Sequence, residues 1–192
     1  MRNRRTPRSV DKTVDAPTAF RQQLLGAIPR LRRYARSLVF DANSADDLVQ
    51  TALERALSHW HQFDQRRDIL VWTISIAHNA YMDERRRNAR MTLVEPREGA
   101  EATDDPHPAS SPDLGLRMDL IAALTKLPLE QREPLLLVTL EQLSYAECAE
   151  LLRIPVGTVM SRISRGRAAL RALLDGRPPQ PTHAAQPLRR VI

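Results

Sequence analysis

A chain of 192 residues, 42% hydrophobic but only 4% aromatic, suits one or two compact domains whose cores are built from Leu, Ile, Val and Ala. No apolar run reaches the ~20 residues needed to cross a bilayer, and the start MRNRRTPRSVDK lacks the apolar segment of a secretion signal, so no membrane insertion and a cytoplasmic location are expected. The formal net charge of +6 is unevenly spread: residues 93 to 115 hold six acids against Arg97, a net of −5, so the rest of the chain carries +11 and favours a polyanionic partner.

In chain order, residues 1 to 18 read as a flexible tail, and the first domain follows over 19 to 92. In FRQQLLGAIPRLRRYARSLV the apolar residues Leu24, Ile28, Leu31, Ala35 and Leu38 recur at three or four, one face of a helix that Pro29 is expected to break or kink. In NSADDLVQTALERAL, Ser44 offers an N-cap with Asp47 three residues on. Leu48, Ala52, Leu53, Ala56 and Leu57 form the buried stripe of that second helix, which leaves Asp46, Asp47, Gln50, Thr51, Glu54 and Arg55 outward.

A loop HQFDQRRD leads into ILVWTISIAHNAYMDERRRNAR, apolar nearly all round for three turns and therefore the central helix of this domain. It ends in Arg85, Arg86, Arg87 and Arg90. Compensation of the helix dipole is the simpler explanation, but four arginines are more than a dipole requires and favour phosphate contact. His59 and His61 are the only close histidines and read as surface residues; with the single Cys148, which also excludes an internal disulfide, no metal site is expected.

Residues 93 to 115, acidic and carrying Pro96, Pro106, Pro108 and Pro112, read as a flexible linker, and 176 to 192 as a flexible tail. Between them the second domain, 116 to 175, has a helix around Met118 to Leu127, then LPLEQREPLLLVTLEQ, with Pro128 near a helix start and Pro134 within its first turn. Next, SYAE is a capping box of Ser144 and Glu147 that opens a short helix ending near Leu152. Pro155 stops it and begins another.

In that last helix Val159, Ile163, Gly166, Leu170 and Leu173 form one core seam, and the opposite face collects Gly157, Ser161, Ser164 and Ala168 flanked by Met160, Arg165 and Arg171. A packed hairpin with a small solvated outer face would also satisfy this pattern. The short first helix, the tight turn and the backbone N–H groups of Val156, Gly157 and Thr158, placed to hold a phosphate, favour a DNA-reading helix-turn-helix. Cys148 falls on the inward face and reads as a small core residue. The first domain holds no cluster of carboxylates or nucleophile with arginines, so a recombinase or nuclease has no site, and neither catalytic residues nor a cofactor are expected. A free-standing helix-turn-helix regulator, dimeric to match two half-sites, stays open at this point.

ADDLVQTALERAL (45 to 57), VWTISIAHNAYMDERRR (71 to 87) and LPLEQREPLLLVTLEQLSYAECAELLRIPVGTVMSRISRGRAALR (127 to 171) resemble the extracytoplasmic-function (ECF) sigma factors of bacterial RNA polymerase, of the sigma-70 class. The resemblance implies an all-α fold of two small helical domains, a region 2 and a region 4 with its helix-turn-helix, joined by the linker. It implies a promoter-specificity subunit that binds core RNA polymerase through its largest subunits, recognises promoter DNA in a stress or environmental response, and is commonly held inactive by an anti-sigma factor.

Carried onto this chain, Asp46, Asp47, Gln50, Glu54 and Arg55 would bind polymerase. His61, Gln62, Phe63, Asp64 and Asn79 would read the minus-ten element, where a flipped base needs hydrogen bonds and a wrapping loop, and Arg85, Arg86 and Arg87 would contact the minus-ten DNA by holding backbone near the melted region. Trp72 is expected in the core rather than as a stacking platform. Gly157, Thr158, Ser161, Arg162, Ser164 and Arg165 would meet the minus-35 element in the major groove. Met160 and Ser164 depart from the basic and aromatic residues of many relatives, so the minus-35 preference does not carry over.

Overall fold

The computed structural model describes residues 16–92 and 112–176, which hold seven α-helices, one 3-10 turn and no strand. The expected linker up to residue 111, and the tails outside 16–176, lie beyond the described residues. These residues fall into two compact units, separated between Asp105 and Pro106. The protein is all-α.

The first unit is a three-helix packing of α1 (Thr18–Val39), α2 (Ala42–Ser58) and α3 (Ile69–Thr92), each against the other two. On α1 Leu24, Leu31, Ala35 and Leu38 of the expected stripe are buried and Ile28 half-buried, and Phe20, Ala27 and Tyr34 widen it. Pro29 does not break this helix. It lies on the exposed side with Leu25, the residue whose carbonyl loses its helical donor, so water can take that bond.

The cap of α2 also differs from expectation. Asp41, in extended conformation, accepts the Ser44 N–H at 2.7 Å, so Ser44 lies inside the first turn and the cap is three residues earlier. A carboxylate there also faces the positive end of the helix dipole. Ala45 and Val49 join the buried stripe, while Leu53 and Leu57 are half-buried.

Helix α3 begins where Asp68 Oδ1 accepts the Leu70 N–H at 2.7 Å. Leu70, Thr73, Ile74, Ala77 and Ala80 are buried at helical spacing, and the Thr73 hydroxyl donates to the Ile69 carbonyl of its own helix, so its polar atom needs no outside partner. One end of the unit is closed by aromatic rings: Phe20 lies 5.7 Å from Phe63 and 6.0 Å from Trp72, and Phe63 lies 5.2 Å from Trp72. Offset and edge contacts at such separations add to the burial of the rings themselves.

The second unit contains α4 (Pro112–Lys126), α5 (Leu129–Thr139), α6 (Tyr145–Leu152) and α7 (Val156–Leu174), with α4, α5 and α6 all packed on α7. Helix α4 starts six residues before the expected Met118, inside the segment expected as linker. Pro128 caps α5, but Pro134 sits in the second turn of that helix rather than the first. Its ring is fully buried, and that apolar burial offsets the lost bond to the Glu130 carbonyl.

Arg132, Glu133 and Glu141 are buried beside the leucines of α5, Glu141 to 1% exposure. Hydrophobic periodicity gives no sign of them. At Gly166 the close approach of α7 to α5 matters, because a Cβ there would stand 3.0 Å from the Gln131 carbonyl oxygen.

After α5 the chain turns through Gln142 at φ 58°, a left-handed conformation that costs a residue bearing a side chain about 1–2 kcal/mol. Glycine relieves that strain but has more freedom to lose on folding. Gln142→Gly is therefore expected to stabilise the second unit by about 0.5–1 kcal/mol, read as a higher denaturation midpoint.

Candidate polymerase and nucleic-acid interfaces

The helix-turn-helix forms from local signals. Ser144 Oγ accepts the Glu147 N–H at 3.2 Å, and Glu147 Oε2 accepts the Ser144 N–H at 2.8 Å and its hydroxyl at 2.7 Å, the capping box expected for SYAE. These bonds from Ser144, side chain first and then backbone, hold the Glu147 carboxyl below the usual carboxylate range. A folded-state pKa below the unfolded one adds stability above the ordinary value near ~4.3, and that stability is lost as pH falls through the folded value. Ser144→Ala is expected to lower the stability of the second unit by about 1 kcal/mol at neutral pH and to flatten its acid unfolding profile.

At the other end of α6, Arg153 adopts the left-handed conformation at φ 56°, and the Ile154 N–H reaches back to the Ala149 carbonyl at 3.1 Å. That bond satisfies a helix-end carbonyl and sets the turn. Pro155, fixed in φ, then starts α7. Cys148 is fully buried, and burial, followed by the charge of Glu133, pushes its thiol up to about 12, so it is a core residue as expected.

On α7 the seam residues Val159, Ile163 and Gly166 are buried and Leu170 and Leu173 half-buried, while Gly157, Met160, Ser161, Ser164, Arg165, Ala168 and Arg171 are exposed. Arg165 Nε donates to the Ser161 carbonyl at 3.3 Å, laying its side chain back toward the helix start, as helical side chains lean. Arg162 stands apart: half-buried, it reaches 3.3 Å to Glu130 of α5, a bond that a DNA contact would have to exchange. Of the three N–H groups expected for a phosphate, that of Thr158 is given to the Pro155 carbonyl at 2.9 Å. That correction leaves Val156 and Gly157 as the backbone donors at this end.

In the first unit Asp46, Asp47, Gln50 and Glu54 lie together on the exposed side of α2. Asp46 receives Arg32 of α1 at 2.9 Å, and Gln50 donates to Glu54 at 3.0 Å. Arg55 is half-buried and turns the other way, 3.7 Å from Asp83 of α3, which also receives Arg86 at 3.0 Å. These exposed pairs add little stability. Arg32 and Asp83, which the sequence pattern did not single out, nevertheless hold side chains of the two faces in place.

His61 and Gln62 sit exposed in the 3-10 turn (Trp60–Gln62), and Asp64 organises the loop after it, accepting the Arg66 N–H at 3.0 Å through Oδ1 and the Arg67 N–H at 2.9 Å through its carbonyl. Phe63 points into the aromatic cluster, half-buried against Phe20 and Trp72, and Trp72 is in that core as expected. Asn79 is half-buried midway along α3. Arg85, Arg86 and Arg87 are exposed near its end, with Arg85 5.9 Å over the Tyr81 ring. The loop and the arginines are not brought together: 16 residues of helix put them about 24 Å apart. Together they mark a track along α3 rather than one pocket.

Among the described residues no group of three metal-ligating side chains occurs, and no described helix is long and apolar enough to cross a membrane.

Residues 117–170 match the family "Sigma-70, region 4", and residues 24–78 match "Sigma2 domain of PhyR". The chain is 38% identical over 157 residues to the ECF RNA polymerase sigma factor EcfG of Rhodopseudomonas palustris strain TIE-1, covering 81% of this chain and 85% of that one. It is 37% identical over 140 residues to the ECF RNA polymerase sigma factor SigC of Mycobacterium tuberculosis, covering 72% and 73%. Among solved structures it resembles the sigma factor RpoE of Bartonella quintana, crystallised with the anti-sigma factor NepR, at a TM-score of 0.74 and 32% identity over 83% of this chain and 98% of that one. It also resembles CnrH in complex with the cytosolic domain of CnrY, at a TM-score of 0.61 and 28% identity over 86% and 93%.

Proposed function

The chain belongs to the ECF sigma factors of bacterial RNA polymerase, and from that premise we propose how its two units divide the work of a promoter-specificity subunit. It directs transcription initiation as part of polymerase, not as a free-standing regulator, and its work is binding rather than catalysis. The exposed acidic side of α2, with Asp46, Asp47, Gln50 and Glu54, grips core polymerase, and Arg55 borders it from the α3 side. The loop from His61 to Asp64, Asn79 and the arginines 85 to 87 follow the opened minus-ten strand, with Phe63 as a hydrophobic anchor of that loop rather than a free platform.

Helix α7 enters the major groove at the minus-35 element, with Ser161, Ser164 and Arg165 toward the bases, Gly157 and Thr158 at its entry end and Arg162 beside it. The observation that carries this part is the separation of α7 into a buried seam and an exposed face of small residues edged by arginines, since small residues let the backbone approach and arginines meet guanines or phosphates. The partners are core polymerase and promoter DNA, at work in the cytoplasm, and an anti-sigma factor of the kind found in complex with the Bartonella relative.

Run-off transcription with purified core polymerase tests the reading. Promoter-dependent initiation is expected only when this chain is added, and duplex binding by the chain alone without such initiation would sink it. Arg165→Ala is expected to lower initiation at promoters that depend on minus-35 by about tenfold, within the ~1–3 kcal/mol of a good base contact, while leaving the affinity for core polymerase unchanged.

A further inference from the structure

The minus-35 face of α7 carries an apolar residue where a polar reader would be expected. Met160, the fifth residue of α7, is 53% exposed, although Val159 and Ile163 beside it on the same helix are buried. Along the outward face its neighbours Ser164 and Ala168 are short, and the space beside them stays open as a shallow groove of about 390 Å³. The ring of Tyr145, from the start of α6 and itself 37% exposed, stands as a second wall. Arg167 and Arg171 line the same groove.

An apolar peptide would have to desolvate both of these arginines, whereas a duplex brings phosphates to them. Within the major groove the one apolar group that a base pair presents is the C5 methyl of thymine. The methionine thioether is unbranched and adaptable, and can close on such a methyl without demanding hydrogen-bond geometry.

We propose that Met160, with Tyr145 opposite it, reads an A·T pair of the minus-35 element through its thymine methyl while Arg167 and Arg171 hold the flanking phosphates. The inference rests on α7 being the minus-35 reader and names what it prefers at one position.

The test uses holoenzyme, core polymerase with the full chain, selecting productive templates from a promoter library randomised across minus-35. The library is made once with thymine and once with uracil, which lacks only the methyl. One position is expected to enrich thymine roughly threefold to fivefold, the equivalent of one apolar methyl contact, and to lose that preference in the uracil library. Met160→Ala should abolish the same preference and keep the others, and Met160→Lys should move that position toward guanine. Identical elements from the thymine and uracil libraries, or an unchanged thymine preference in Met160→Ala, would overturn the proposal while leaving α7 as the reader. If holoenzyme initiates but enriches no minus-35 sequence at all, the reading of α7 fails and the proposal with it.

Discussion

Asp47→Arg will weaken binding to core polymerase by about a hundredfold or more while leaving the first unit folded. Asp47 is exposed on the second turn of α2, on the side opposite Leu48 and Ala52, so a longer side chain meets water rather than core. The reversal replaces one negative charge with one positive, and placing like charge against a complementary surface costs several kcal/mol, which is the origin of the hundredfold estimate. Asp46→Arg would be a poorer probe, because it also breaks the pair with Arg32 that ties α1 to α2. The measurement is a titration of labelled chain with core polymerase, alongside a thermal melt. Affinity within about threefold of the unchanged chain, with an unchanged melt, would remove the acidic side of α2 from the polymerase interface. The loss should shrink as salt rises, since exposed charges are screened beyond about 10 Å at 0.1 M.

What could be read from the sequence follows the reach of each interaction. The stripes on α1 and α2, the seam on α7 and the box of Ser144 and Glu147 depend on residues three or four apart, so the helical repeat exposes them without a fold. A local rule fails where it meets a competitor. The pattern offers Ser44 as a cap, but Asp41, three residues earlier, is the stronger acceptor, and Ser44 supplies the N–H instead. Pro29 and Pro134 lie inside helices because one lost hydrogen bond can be outweighed, by water access on α1 and by burial of the ring on α5. The buried Arg132, Glu133 and Glu141, and the reach of Arg162 to Glu130, depend on contacts between helices that no spacing encodes. The candidate site divides the same way: exposure of Asp47, Ser161 and Arg165 was legible from helical phase, whereas the inward turn of Phe63 and the bond taken up by Thr158 required the packed chain.

Ile163→Ala will separate the two ways in which minus-35 reading can be lost. Ile163 is 2% exposed at the middle of the α7 seam, and α7 is the helix against which α4, α5 and α6 all pack. Truncating such a residue costs about 2–5 kcal/mol, from lost burial and from the cavity left behind. At roughly 0.05–0.15 kcal/mol per residue, a unit the size of residues 112–176 is held by only about 3–10 kcal/mol, so this one side chain removes a large share of it. The second unit is expected to melt more than about 10 °C lower, with the first unit unmoved, and initiation at promoters that need minus-35 should fall at the temperatures where the second unit opens. Ile163→Val, which keeps most of the volume, should cost about 0.5–1.5 kcal/mol and retain reading. Arg165→Ala supplies the contrast, because its exposed guanidinium contributes to no core: it should lose reading with the melt unchanged. If Ile163→Ala melts like the unchanged chain, the seam is not what holds α7 in place. If Arg165→Ala lowers the melt as far as Ile163→Ala does, the outer face of α7 carries structure rather than recognition. Opposite outcomes on the two faces of one helix are what a reader with a buried seam and an open groove face must produce.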